Sequence, residues 1–167
     1  MYTVITAIIL CYLLILVFVF FYQRNLLYHP FENNYSTNQT NFSYDEVFIP
    51  ALNGNNLKGW FHKKDLNNKK TLVFFHGNAG DLRNRIYKLN LIKDFDINFL
   101  IVAYRGFSGN KGKPTEEGLY EDARSALNWL AQQNINEDQI IKFNPPINIL
   151  TFIENLNVRF IQKKYQD

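Results

Sequence analysis

The residues with the most chemical content stand in one short run, Phe-Phe-His-Gly-Asn-Ala-Gly at positions 74–80, where a buried-looking apolar segment turns through two glycines into an amphipathic stretch. Glycine lets the backbone approach a ligand closely, and the free amides at a helix start point outward toward negative charge. His76, Gly77, Asn78, Ala79 and Gly80 therefore form a loop suited to holding an anion or a developing oxyanion. The plainer reading is a βα turn with His76 as a packing residue, since glycine punctuates many such loops. A second run, Tyr104-Arg105-Gly106, opens a loop that also holds Lys111 and Lys113, which read as a solvated edge.

Other chemistries have little to stand on. The net charge of +3 is spread along the chain with no basic block longer than a pair such as Lys63 and Lys64, so nucleic-acid binding lacks an electrostatic footprint. Cys11 is the single cysteine, which excludes an internal disulfide and a thiolate metal cluster. Neither G-x-G-x-x-G nor G-K-[ST] follows a strand, so no cofactor and no metal is expected.

The elements that must position these loops follow from hydrophobic period. Residues 46–49 and 57–62 read as a hairpin around the turn-prone Asn-Gly-Asn-Asn at 53–56. Residues 71–75 are continuously apolar after Thr71, as a strand covered on both faces is. Leu82, Ile86, Leu89 and Ile92 or Lys93 fall at helical spacing with Asp81 placed as N-cap, and residues 98–104 follow as a second buried strand. This β-α-β unit should cross over right-handed. Pro114, a capping Thr115, and Glu116 and Glu117 at the positive end of the dipole start another helix. Its expected inward stripe is Leu119, Ala123, Ala126, Leu127, Leu130 and Ala131, before a strand at 139–143. The alternation predicts an α/β layered fold.

No charged side chain occurs before Arg24, and residues 4–22 would span about 28 Å as a helix, close to the hydrocarbon thickness. No Lys or Arg precedes the apolar run and no small-x-small site follows it, which favours a retained single-pass anchor in the lipid bilayer over a cleaved signal peptide. Cys11 reads as a small buried hydrophobe, not a lipid-attachment site. The expected organisation is a transmembrane anchor at 1–23, a polar Asn-rich tether at 24–44, a partial α/β domain at 45–143 and a divergent tail at 144–167. The triplets at Asn34, Asn38 and Asn41 match glycan acceptors, but a tether this rich in Asn, Ser and Thr produces them by chance.

Three motifs in order, "LLYHPF" after the apolar leader, "HGNAG" after a buried strand, and "AYRGFSGNKGKPTEEGLYEDARSALNWL", resemble the single-pass serine hydrolases that include palmitoyl-protein thioesterase-like α/β-hydrolases. The resemblance runs from the start of the chain to about Phe143 and implies the N-terminal half of an α/β-hydrolase fold with ester or thioester hydrolysis as its activity. It implies that the Asn78 backbone amide is an oxyanion donor, that His76, Gly77 and Gly80 shape its turn, and that Tyr104, Arg105 and Gly106 support the site. "GFSGN" approaches G-x-S-x-G, but it ends in Asn110 and lies in the loop before the strand that should present the nucleophile, so Ser108 is read as a polar loop residue.

The family's later parts are not found in the chain. No glycine follows Gly118, no serine follows Ser125, and the histidines are His29, His62 and His76, all upstream of where a triad histidine belongs. The expectation is a truncated hydrolase: an oxyanion loop without nucleophile elbow or triad histidine, inactive alone. The tail is either out-of-frame relic sequence or a helix whose Ile147, Leu150, Ile153, Leu156 and Phe160 pack on the sheet edge or a partner. The alternative function is a non-catalytic membrane-tethered interaction module, or one half of a split hydrolase completed by a separately encoded C-terminal half.

Overall fold

The computed structural model describes residues 2–30, 42–52 and 54–143. The glycan triplets at Asn34, Asn38 and Asn41 and the apolar positions of the tail lie outside the described residues.

Helix α1 (Tyr2–Leu27) has no buried residue, and an apolar helix exposed all round requires an apolar surrounding. It is long and apolar enough to cross a bilayer. It also runs four residues past the expected anchor end, because neither glycine nor proline interrupts the chain before Pro30. Strand β1 (His29–Pro30) follows after Tyr28, so residues 24–27 and 29–30, expected as tether, are helix and strand.

Strands β2 (Asp45–Pro50) and β3 (Asn56–His62) form the expected antiparallel hairpin. Its turn is closed by the Gly54 amide donating to the Ala51 carbonyl at 2.9 Å, with Gly54 at a φ of 79° that a side chain would resist. Strand β4 (Thr71–Phe75) is buried at every position, as is β6 (Asn98–Val102), so both faces of the sheet centre are covered. Full burial of a Phe, Leu or Ile side chain contributes ~1.5–3 kcal/mol, which makes these two strands the stable floor under the loops that leave them. Between them lie β5 (Ala79–Gly80), a 3-10 turn (Arg83–Arg85) and α2 (Ile86–Ile92).

Asp81 does not cap α2 itself. Its Oδ1 accepts the Asn84 amide at 3.1 Å while Asn84 Oδ1 accepts the Asp81 amide at 2.8 Å, a reciprocal cap on the 3-10 turn that leads into the helix. Ile92, not Lys93, completes the buried stripe.

Helix α3 (Glu116–Gln132) starts as expected, with Thr115 Oγ1 accepting the Gly118 amide at 3.1 Å. Five of the six expected inward residues pack on the core, Ala126 and Leu130 fully buried and Leu119, Ala123 and Leu127 partly so, but Ala131 is exposed, and Gly118, Asp122 and Ser125 are buried as well. Two polar residues take inward positions because each has a partner, Ser125 Oγ accepting the Leu52 amide and Asp122 receiving Arg105. Strand β7 (Ile140–Phe143) ends the described chain, and the sheet order is β2-β3-β6-β4-β7, parallel across β6, β4 and β7.

Candidate active site

Strand β4 delivers its loop to the carboxyl edge of the sheet between two parallel neighbours, with Phe74 in register with Ile101 on one side and Phe143 on the other. The connection leaving β4 goes to β6, whereas the connection leaving β6 crosses back to β7. Opposite connections of this kind open a crevice at the strand ends, the place where open α/β sheets bind ligands. The run from His76 to Gly80 begins there.

His76 is only 3% exposed. Its Nδ1–H donates to the Gly77 carbonyl at 2.6 Å, and its Nε2 accepts the Tyr104 backbone N–H at 3.1 Å. The ring also stands edge-on to Tyr104 and Phe107, with centroids 4.9 Å and 4.8 Å away. Burial pushes the imidazole down to about 4, outweighing the Gly77 carbonyl that pulls it up, so the ring is neutral at physiological pH. With both nitrogens committed, His76 ties two loops together and has no lone pair left to act as a base. The packing reading and the loop-shaping reading describe the same side chain.

The two glycines differ. Gly80 has a φ of +83°, and a Cβ there would lie 2.5 Å from Asn84 Oδ1, so glycine is required by the turn itself. At Gly77 a Cβ would meet nothing within 4 Å, so the space beside it is open.

Asn78 is exposed, yet two of its groups are fixed. Its carbonyl accepts the His29 amide at 2.8 Å and its Nδ2 donates to the Leu27 carbonyl at 2.7 Å. Among the described residues its backbone N–H donates to no protein acceptor. The Ala79 carbonyl accepts Arg85 Nη2, and β5 pairs in parallel with β1.

The second loop is held by a buried ion pair. Arg105 donates from Nη2 to Asp122 Oδ1 at 2.7 Å and from Nε to the same oxygen at 3.0 Å, while its backbone N–H reaches Oδ2 at 2.7 Å. Glu121 takes the other side of Nη2 at 2.9 Å, and these carboxylates raise the guanidinium further above its already high range. A Cβ at Gly118 would fall 2.8 Å from Arg105, so α3 presents glycine where the guanidinium lies. Gly106, at a φ of 78°, would bring a Cβ to 2.7 Å from Pro114.

Ser108 is fully buried, at a φ of 51°, and its Oγ accepts the Leu82 amide at 2.9 Å. The polar loop residue expected there is a buried crosslink between loops. Lys111 and Lys113 are exposed. The fold thus joins residues 76–80 to Tyr104, Arg105 and Gly106 through the His76–Tyr104 bond. Sequence reading did not find Leu27, His29, Arg85 or Asp122 as parts of this assembly. Their only signal was the position of "LLYHPF" just ahead of the domain and of an acidic residue on an otherwise apolar helix face. Among the described residues no group of three or more His, Cys, Asp or Glu side chains is placed to hold a metal ion.

An antiparallel hairpin leading into parallel strands, with a glycine loop at the switch point, is the architecture of the first half of an α/β-hydrolase. No protein-family model matches the chain. It is similar to the uncharacterized protein Rv2307c of Mycobacterium tuberculosis, 32% identical over 123 residues that cover 72% of this chain and 43% of that one. It is also similar to the α/β-hydrolase domain-containing protein WAV2 of Arabidopsis thaliana, 27% identical over 131 residues that cover 73% of this chain and 42% of WAV2. Among solved structures, an α/β-hydrolase from Vibrio vulnificus superposes with a TM-score of 0.51 at 26% identity, covering 59% of this chain and 34% of that one. The chain belongs to the α/β-hydrolase superfamily. It spans about half the length of the curated relatives it matches.

Proposed function

We propose that this chain supplies the oxyanion-hole half of a single-pass, membrane-anchored serine hydrolase acting on esters or thioesters, and that it does not turn over substrate alone. The observation that carries the reading is the Asn78 backbone N–H, which donates to no acceptor among the described residues at an exposed position, while the carbonyl and side chain of the same residue are pinned. A donor fixed before substrate arrives needs no reorganisation as charge develops on the carbonyl oxygen, which is what oxyanion stabilisation demands. The open space beside Gly77 leaves room for the reacting group.

The bonding of the histidines among the described residues supports the second half of the proposal. An acyl-enzyme needs a nucleophile with a base in reach, and both nitrogens of His76 are already bonded within the fold. His29 and His62 each also bond a backbone carbonyl through a ring nitrogen, at Leu26 and Ser43.

The test is the full chain in detergent micelles, assayed with a p-nitrophenyl ester and a fluorophosphonate probe. Neither turnover above background nor labelling is expected. Co-expression with a polypeptide carrying a G-x-S-x-G elbow, an acid and a histidine is expected to restore both. Serine-dependent turnover by the chain alone contradicts the proposal, and so does a complementing half that forms no complex with it.

A further inference from the structure

Resting on the hydrolase reading, we infer that the end of α1 positions the oxyanion loop: Leu27 and His29 act through Asn78, so the anchor is part of the frame of the site and not only a tether. A helix leaves its last four carbonyls without donors of its own. In α1 the Arg24 carbonyl accepts the Tyr28 amide at 2.9 Å and the Leu26 carbonyl accepts His29 Nε2–H at 3.0 Å. The Leu27 carbonyl is satisfied from much farther along the chain, by the Asn78 side chain at 2.7 Å. The loop therefore caps the membrane-facing helix.

The reverse hold is as direct. A peptide unit is planar, so the Asn78 N–H is rigidly tied to the Gly77 carbonyl and turns with it. His76 fixes that plane by donating to the Gly77 carbonyl, and His29 fixes the next plane by donating to the Asn78 carbonyl at 2.8 Å. With the planes on both sides of the Asn78 Cα set, the direction of its N–H is set as well. One constraint comes from the sheet and the other from the segment leaving the anchor. The parallel pairing of β1 with β5 extends the second constraint to Ala79 and Gly80.

The experiment is hydrogen–deuterium exchange on the full chain in micelles, comparing wild type, His29→Pro, His29→Ala and Asn78→Ala. His29→Pro removes the backbone donor, whereas His29→Ala keeps it. Loss of one such bond is expected to speed exchange across residues 77–82 about fivefold in His29→Pro and Asn78→Ala, with His29→Ala close to wild type. Exchange in β6 and α3 should stay unchanged. Should His29→Pro also loosen β6, Asn78→Ala decides, because it alters only an exposed side chain. Equal loop exchange in wild type and Asn78→Ala overturns the inference, as does a His29→Pro effect that His29→Ala reproduces. No turnover enters these readouts, so their failure leaves the hydrolase reading standing, and failure of that reading shows separately in the labelling and complementation assays.

Discussion

His76 Nε2 accepts the Tyr104 backbone N–H at 3.1 Å, joining the loop after β4 to the loop after β6 through one buried, neutral ring. The bond exists only while Nε2 keeps its lone pair, and protonation at that nitrogen would set two donors against each other.

Stability should therefore fall on mild acidification. The folded imidazole sits at about 4 against 6.5 unfolded, chiefly from burial, so between those values the unfolded state binds the extra proton. The sign follows: the stabilisation is complete above 6.5 and is lost as pH falls toward 4. Linkage puts the loss at about 2 kcal/mol between roughly pH 7.5 and pH 5. Urea denaturation followed by tryptophan emission should show that slope in wild type and a flatter one in His76→Asn. Equal slopes in the two proteins would mean the ring is not buried neutral.

The glycines of the same loop should separate stability from site geometry. Gly80→Ala forces a side chain into a left-handed backbone and onto Asn84, at a cost of about 1–3 kcal/mol. Gly77→Ala meets open space and should change stability by less than about 0.5 kcal/mol. In a reconstituted hydrolase it should nevertheless lower turnover, by filling the space proposed for substrate. Similar unfolding midpoints for the two variants would show that the loop does not need its positive φ.

How much of this was legible follows from the range of each interaction. The all-apolar run at β4, the Thr115 cap and the hairpin turn are local signals, and each lies where period and turn chemistry place it. Asp122 was missed because a helical stripe is read from apolar residues, and a buried carboxylate looks like a solvated one until Arg105 arrives from 17 positions away. The pairing of β1 with β5 is only two residues long, too short for any period, and joins segments whose Asn78–Leu27 bond spans 51 positions. The end of α1 was placed early for the opposite reason: the sequence from Gln23 to Leu27 carries no stop signal, and the helix continues through it.

The Arg105–Asp122 pair should dominate the second loop. Asp122 is fully buried and Arg105 nearly so, whereas the Glu121 carboxylate is about a third exposed. Removing one partner of a buried pair leaves an uncompensated charge, so Asp122→Ala should cost about 3–5 kcal/mol. Glu121→Ala, at a solvent-screened position, should cost less than about 1 kcal/mol. Comparable losses for the two in chemical denaturation would show that burial does not separate these carboxylates.

Ser108 gives the sharpest contrast between resemblance and role. Its setting in Gly-Phe-Ser-Gly-Asn and its φ of 51° imitate a nucleophile, but the Oγ is buried and accepts the Leu82 amide. The hydroxyl is fully buried within the fold, and the His76 nitrogens are both bonded elsewhere. Ser108→Ala should therefore leave the Leu82 N–H buried without its partner and cost about 1–3 kcal/mol, while fluorophosphonate labelling stays at background in both proteins. Labelling of the wild type that disappears in a folded Ser108→Ala variant would make this serine a nucleophile and return catalysis to the chain itself.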